Sequence, residues 1–154
     1  MKYVRAESLK HTCELLSEER WTSRILAGGT DVLVQNHLEM VELDLAVDLK
    51  SLAGMSTIEA ETGGFRIGAG VSGAELGEDP EVKKLWPGVV EGMELIGSTQ
   101  VQGRATLVVN LCNSSPAADS VPPLVAAEAV AQIFGLDGLR AEYPALSPQI
   151  DRGV

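Results

Sequence analysis

The sequence predicts an α+β fold, α/β in character and arranged as two lobes. Three observations carry that prediction. A helical periodicity near the start runs into a strand, turn, helix and strand that end by residue 49; a glycine-centred hairpin pattern occupies residues 57–69; and helical stretches punctuated by proline and glycine fill much of residues 72–126. With 154 residues, 45% of them hydrophobic, the chain is long enough for one real core or for two small lobes sharing one.

From Glu7 to Glu19, Leu9, Cys13 and Leu16 share one helical face with Leu15 beside it, which predicts an amphipathic helix ahead of the first strand. Ile25 to Ala27 reads as that strand. Gly28-Gly29 turns the chain into a short helix from Val32 to Leu38, and Leu45 to Leu49 is the next strand, giving a β-α-β unit. Thr57 to Glu61 and Phe65 to Ala69 flank Thr62-Gly63-Gly64, whose glycines suit a tight hairpin turn. Ser72 caps a short helix toward Leu76. After Gly77-Glu78-Asp79-Pro80 a helix runs to Leu85, and Pro87 opens another that reaches Ile96 and stops at Gly97. A further helix is predicted from Ala118 to Ala126, and a second hairpin from Ala129 to Phe134 and Leu139 to Tyr143 around Asp137-Gly138. A boundary between Leu49 and Thr57 divides a small lobe, residues 1–52, from a larger mixed lobe, residues 53–143; residues 144–154 form a tail.

Composition excludes several functions. Twelve basic against 22 acidic residues leave a net charge of -10, which argues against a phosphate-backbone partner, and an aromatic share of 4% argues against a platform for stacking bases. Nucleic acid is not an expected partner. Cys13 and Cys112 stand alone without CxxC or paired histidine spacing, so no disulfide framework, zinc site or iron–sulfur site is predicted. No window approaches the ~20 apolar residues of a membrane span, and Met1-Lys2-Tyr3-Val4-Arg5 leads into an amphipathic stretch rather than an apolar signal region. A cytoplasmic location, away from membranes, is expected.

Two loops carry the chemistry. In the first, Ile25-Leu26-Ala27-Gly28-Gly29-Thr30-Asp31, an apolar run meets two glycines and a helix start, a turn that leaves backbone N–H groups free. Phosphate suits such a place, and glycine permits its close approach. The second runs from Thr106 through Asn110 to Ser115-Pro116-Ala117-Ala118-Asp119. If the lobes face each other, the loops lie on opposite sides of a cleft that a long, two-ended ligand would bridge. Plainer readings exist for each part: Gly28-Gly29 as a simple turn, Leu107 to Leu111 as a buried strand, Asp119 as an acid in the first turn of a helix. Trp21 and Trp86 read as packing residues. Arg104 suits either an acid or a phosphate.

These segments resemble, in order and over nearly the whole chain, the FAD-binding medium subunit of the molybdenum hydroxylases, the xanthine dehydrogenase and carbon monoxide dehydrogenase family. That family's A-G-G-T-D-L-L-V loop is similar to Ala27 to Val34, its aspartate-leucine-lysine to Asp48-Leu49-Lys50, and its I-G-A-G-V-T-x-x-E-L to Ile67 to Leu76. Its A-T-I-G-G-N and A-S-P-A-A-D-x-x-P-P-L are similar to Ala105 to Asn110 and Ser114 to Leu124. The resemblance implies an FAD-binding type domain. It implies FAD pyrophosphate on Ala27, Gly28, Gly29, Thr30 and Asp31, with Thr106, Asn110, Ser115 and Asp119 toward the remaining diphosphate and ribityl portions. It also implies iron–sulfur and molybdenum subunits as partners, and electron transfer through the flavin to an external acceptor. No catalytic residue and no metal ligand is assigned.

The chain departs from the pattern at Val108-Val109, where the family has Gly-Gly. If that loop needs positive φ or close backbone approach, two β-branched residues introduce bulk and strain of order 1–3 kcal/mol each, which predicts a weakened FAD site. The family subunit also continues into a C-terminal domain, and an apolar face left without it predicts a homodimer. Two other readings follow: a truncated, degenerate relative that keeps the scaffold and acts as a partner-binding or scaffold protein without flavin, or a first loop that binds only a nucleotide or phosphate.

Overall fold

The computed structural model describes residues 1–18 and 20–142. The positions Glu19, expected to end the first helix, Tyr143, expected to end the second hairpin, and 144–154, expected as a tail, lie outside that range. Mixed helix and strand content bears out the α+β expectation.

A three-stranded parallel sheet, in the order β1-β3-β2, is formed by β1 (Lys2–Arg5), β2 (Ser23–Leu26) and β3 (Leu45–Asp48). All four residues of β3 are buried, as befits the middle strand of a sheet flanked on both edges. Helix α1 (Leu9–Ser17) starts at Ser8, whose hydroxyl accepts from the His11 N–H at 3.0 Å. Its Leu15 and Leu16, with Val4, Trp21 and Leu52, cover Ala6, Leu45 and Val47. Helix α2 (Val32–His37) links β2 to β3 and completes the expected β-α-β unit.

The first element departs from expectation: β1 precedes α1. Its Lys2 and Arg5 are exposed and only Val4 reaches the core, so this short strand has little apolar periodicity to announce it. The backbone pairing with β3 sets it in place, continued by the Ala6 N–H to the Asp48 carbonyl at 2.9 Å.

The expected hairpin is present as β4 (Ile58–Glu61) and β5 (Gly64–Ile67). Helices α3 (Gly73–Glu78), α4 (Pro80–Leu85), α5 (Pro87–Glu94), α6 (Thr99–Gln102), α7 (Leu107–Cys112) and α8 (Val121–Ala126) follow. Ser72 and Glu75 cap α3 reciprocally, and the Asp79 carboxylate accepts from the N–H groups of Glu81 and Val82 at the start of α4. Val71, Leu76, Val82, Val89, Val90, Met93, Ala105, Leu107 and Leu124 form the second core, with Trp86 against it. Each tryptophan therefore packs, Trp21 on the first cluster and Trp86 on the second.

Leu107 to Leu111 is helix, not the buried strand that its apolar run suggested. Thr106 supplies the reason, because its hydroxyl accepts from the Val109 N–H at 3.3 Å and starts α7 against the β-branched preference of the valines. The last hairpin, β6 (Ala131–Gly135) and β7 (Gly138–Glu142), returns to the N-terminal helix, where the Cys13 thiol donates to the Phe134 carbonyl at 3.6 Å. No helix among the described residues is long and apolar enough to cross a membrane.

Candidate functional site

The first loop leaves β2 at Leu26. Gly29 has φ +75°, a left-handed conformation that favours glycine, and turns the chain toward α2. Gly28 is required for a different reason: a Cβ there would lie 2.1 Å from the Arg104 carbonyl oxygen and 3.2 Å from the Ala105 Cα. The loop thus packs backbone to backbone against the residues that lead into Thr106 and α7. Among the described residues, the backbone N–H groups of Gly28, Gly29 and Thr30 have no acceptor. Successive free donors around a left-handed glycine are suited to an anion.

The second loop reaches the same place from the side of the second core, to which Ala105 and Leu107 belong. Thr106 is buried and pairs in an isolated bridge with Ser72, while the Gly73 N–H donates to the Ala105 carbonyl at 2.8 Å. The Asn110 Oδ1 accepts from the buried Ser120 hydroxyl, which fixes the side-chain amide and leaves its NH2 group as a donor. Asn113 reaches across, its Nδ2 donating to Asp31 Oδ2, and Gln35 Nε2 donates to Asp31 Oδ1 at 2.9 Å.

Between the loops lies a cleft of about 200 Å³ whose lining includes Thr30, Asp31, Thr106, Val109, Asn110 and Asn113. Four residues singled out from the sequence, Thr30, Asp31, Thr106 and Asn110, thus meet in one place. Ala27, Gly28 and Gly29 precede Thr30 in the same loop and are not among the residues that line the cleft. Ser115 and Asp119 do not line the cleft; both are exposed, and the Ser115 hydroxyl accepts from the Ala117 N–H at 3.3 Å. Asp119 precedes Ser120, the N-cap of α8, so it is not the first-turn acid that a helix from Ala118 would have made it. Arg104 is exposed and meets the first loop through its carbonyl rather than its guanidinium.

The strain expected at Val108-Val109 does not arise. Both lie in α7, and among the described residues the non-glycine positions with positive φ are Glu39, Ser114 and Glu128. What remains is bulk: Val109 lines the cleft, whereas Val108 does not.

Two contributors were not singled out from the sequence. Asn113 carried a signal only as part of the second loop's polar run. Lys50 lay in the aspartate-leucine-lysine stretch without a role; its Nζ donates to the Ala27 carbonyl at 2.9 Å and pairs with Asp48 Oδ1 at 2.9 Å. Asp48 is buried, and its Oδ2 accepts from the Tyr3 hydroxyl at 2.5 Å. Burial alone would push the Asp48 carboxyl up; the Tyr3 hydroxyl with the backbone N–H and ammonium of Lys50 outweighs it and holds the carboxyl below its usual range.

Comparisons with known proteins show the family and the fold. The model of the FAD binding domain in molybdopterin dehydrogenase matches residues 1–146. The xanthine dehydrogenase FAD-binding subunit of Escherichia coli O157:H7 is 33% identical over 139 residues, covering 90% of this chain and 47% of that subunit. The caffeine dehydrogenase subunit beta of Pseudomonas sp. strain CBB1 is 26% identical over 125 residues, covering 81% of this chain and 42% of its own length. Among solved structures, the carbon monoxide dehydrogenase from Hydrogenophaga pseudoflava superposes with a TM-score of 0.88 at 24% identity, over 94% of this chain and 50% of that one. The chain spans about half the length of the relatives it matches.

Proposed function

Because the chain belongs to the family of FAD binding domains in molybdopterin dehydrogenase, we propose that it binds FAD across the cleft between its two loops. The observation that carries this reading is the meeting of the loops: Gly28 lies against Arg104 and Ala105, beside free N–H donors at Gly28, Gly29 and Thr30. These donors fit a pyrophosphate, so Ala27, Gly28, Gly29, Thr30 and Asp31 would hold that part, Ala27 and Asp31 as supports on either side of the donors. Thr106, Asn110, Ser115 and Asp119 would face the rest of the ligand. The Asn110 NH2 group can donate to phosphate or hydroxyl, whereas a carboxylate at Asp119 suits a ribityl hydroxyl and repels phosphate. A cleft of about 200 Å³ falls below the ~300–1,000 Å³ that encloses a drug-sized ligand, so it would take one portion of a dinucleotide.

Bound FAD would supply the redox chemistry, accepting electrons from an iron–sulfur partner and passing them to an external acceptor. The chain's own part is position and electrostatics. Iron–sulfur and molybdenum subunits belong to the same reading, by family. A cytoplasmic location belongs to it as well, supported by two free thiols. So does a homodimer: Val34, Leu38 and Met40 are more than half exposed, and light scattering on the purified chain tests it.

The experiment is titration with FAD, read by flavin fluorescence and thermal shift on the same samples. Saturable binding at micromolar concentration or tighter supports the reading. A folded chain that binds neither FAD nor ADP would overturn it in favour of a scaffold without cofactor, and binding of ADP but not FAD would favour a nucleotide or phosphate site in the first loop.

A further inference from the structure

The Ala27–Gly28 peptide has a different environment at each end. Its carbonyl accepts from the Lys50 ammonium at 2.9 Å, and its N–H, on Gly28, has no acceptor among the described residues. The two ends of a trans peptide point in opposite directions, and no described peptide is cis. Whatever fixes the carbonyl therefore fixes the direction of the N–H. A cation on the carbonyl also polarises the unit and makes its N–H a stronger donor.

Lys50 is itself held. Its ammonium pairs with Asp48 Oδ1 at 2.9 Å and its backbone N–H donates to the same oxygen at 2.9 Å. Tyr3 takes the other oxygen from β1, and Arg5 Nε approaches the Tyr3 hydroxyl at 3.4 Å. The chain of contacts crosses the whole parallel sheet, from β1 through the end of β3 to the loop after β2. On the loop's other side, the Gly28 backbone abuts Arg104. A surface lysine serving only solubility would have neither a buried carboxylate nor a loop carbonyl as partner.

From these contacts we propose that Lys50 is the positioning residue of the first loop: it orients and strengthens the Gly28 N–H as a donor to the pyrophosphate of a dinucleotide. This rests on the FAD reading above for the identity of the ligand, but the tether itself does not. Lys50 acts through the Ala27–Gly28 peptide, and contact with the ligand is not required of it.

The test uses the full chain labelled with 15N, with ADP as the probe, on wild type, Lys50→Met and Lys50→Arg. Without ligand, Lys50→Met should move the Gly28 amide proton upfield, because the polarising cation is gone, and Lys50→Arg should restore most of the shift. With ADP, Lys50→Met should weaken binding about tenfold or more, the scale of one charge-assisted hydrogen bond, and Lys50→Arg should recover most of that loss. If Lys50→Met does not fold, Lys50→Gln, which keeps a polar group beside Asp48, gives the same comparison. An unmoved Gly28 resonance, or ADP affinity within twofold of wild type in a folded variant without the ammonium, overturns the proposal. Absence of ADP and FAD binding in the wild type overturns the FAD reading instead, and with it the role of the tether toward a ligand.

Discussion

Asn113 at the end of α7 donates its side-chain amide to the Asp31 carboxylate, a bond between residues 82 positions apart that joins the second loop to the first. The other Asp31 oxygen accepts from Gln35, and Asp31 makes no side-chain cap to the helix it precedes. An acid in the place where a helix start usually uses one is instead spent on tertiary structure. The two loops are thereby joined by a charge-assisted bond as well as by the contact at Gly28.

Removing that bond should loosen the two loops together. Asn113→Ala is expected to cost about 1 kcal/mol, below the ~1.5–3 kcal/mol of a hydrogen bond to a charged group because Asn113 is exposed. A double-mutant cycle with Asp31→Ala, measured by urea unfolding, should give a coupling of at least ~0.5 kcal/mol. Additive losses would show that the contact contributes nothing of its own.

Gly28→Ala tests the closest contact between the loops. The added carbon would sit 2.1 Å from the Arg104 carbonyl oxygen and 2.8 Å from its carbon, both backbone atoms that cannot swing aside. The expected loss is about 3 kcal/mol or more, the upper part of the range for overpacking, with a matching fall in melting temperature. Gly29→Ala, which has side chains rather than backbone as neighbours but φ +75°, should cost less, about 1–2 kcal/mol. Equal losses at both positions would contradict the backbone contact.

Most elements between α1 and the last hairpin were legible because each carried its own local signal, a 3.6-residue stripe, a Gly-Gly turn or a proline at a helix start; the single turn of α6 (Thr99–Gln102) carried none and was not foreseen. What escaped had no such signal. β1 exists because β3 offers it an edge, and its exposed Lys2 and Arg5 conceal the strand. α7 is written in residues that favour strand, and a single hydroxyl, Thr106, together with burial of Leu107, tips it to helix.

The site divides in the same way. Thr30, Asp31, Thr106 and Asn110 were marked by the two loops and do meet in the cleft. Their connections were hidden, since neither the partnership of Asn113 with Asp31 nor that of Lys50 with Ala27 is encoded by spacing along the chain. The effect of Val108-Val109 was foreseen as both bulk and backbone strain; the strain is absent because a helix accepts β-branched residues at negative φ, and the bulk is confined to one side chain in the cleft.

Asp48 should make stability depend on acid. Its carboxyl is held below the ordinary 3.8 in the folded chain, so its contribution is fully present above that value and is lost as pH falls through 3.8 toward the lower folded-state value. Asp48→Asn should therefore be less stable than wild type at pH 7, and the gap should narrow on acidification from about pH 5 to pH 3. Urea unfolding at a series of pH values measures it. A gap that stays constant would mean that the Tyr3 and Lys50 contacts do not favour the charged form.

The two valines should respond unequally to replacement by glycine. Val109 lines the cleft and Val108 does not, so Val109→Gly opens space where a ligand would lie while Val108→Gly opens none there. Each change also places glycine in the six-residue helix α7, at a stability cost of roughly 0.5 kcal/mol relative to valine. If the Val109 side chain is what limits the site, Val109→Gly should tighten FAD binding about tenfold, equivalent to ~1.4 kcal/mol, despite the less stable helix. The double change should gain little more. Fluorescence titration of the three variants separates the causes: equal gains from both single changes would point to backbone approach rather than to the Val109 side chain, and no gain from any would place the limit on affinity outside α7.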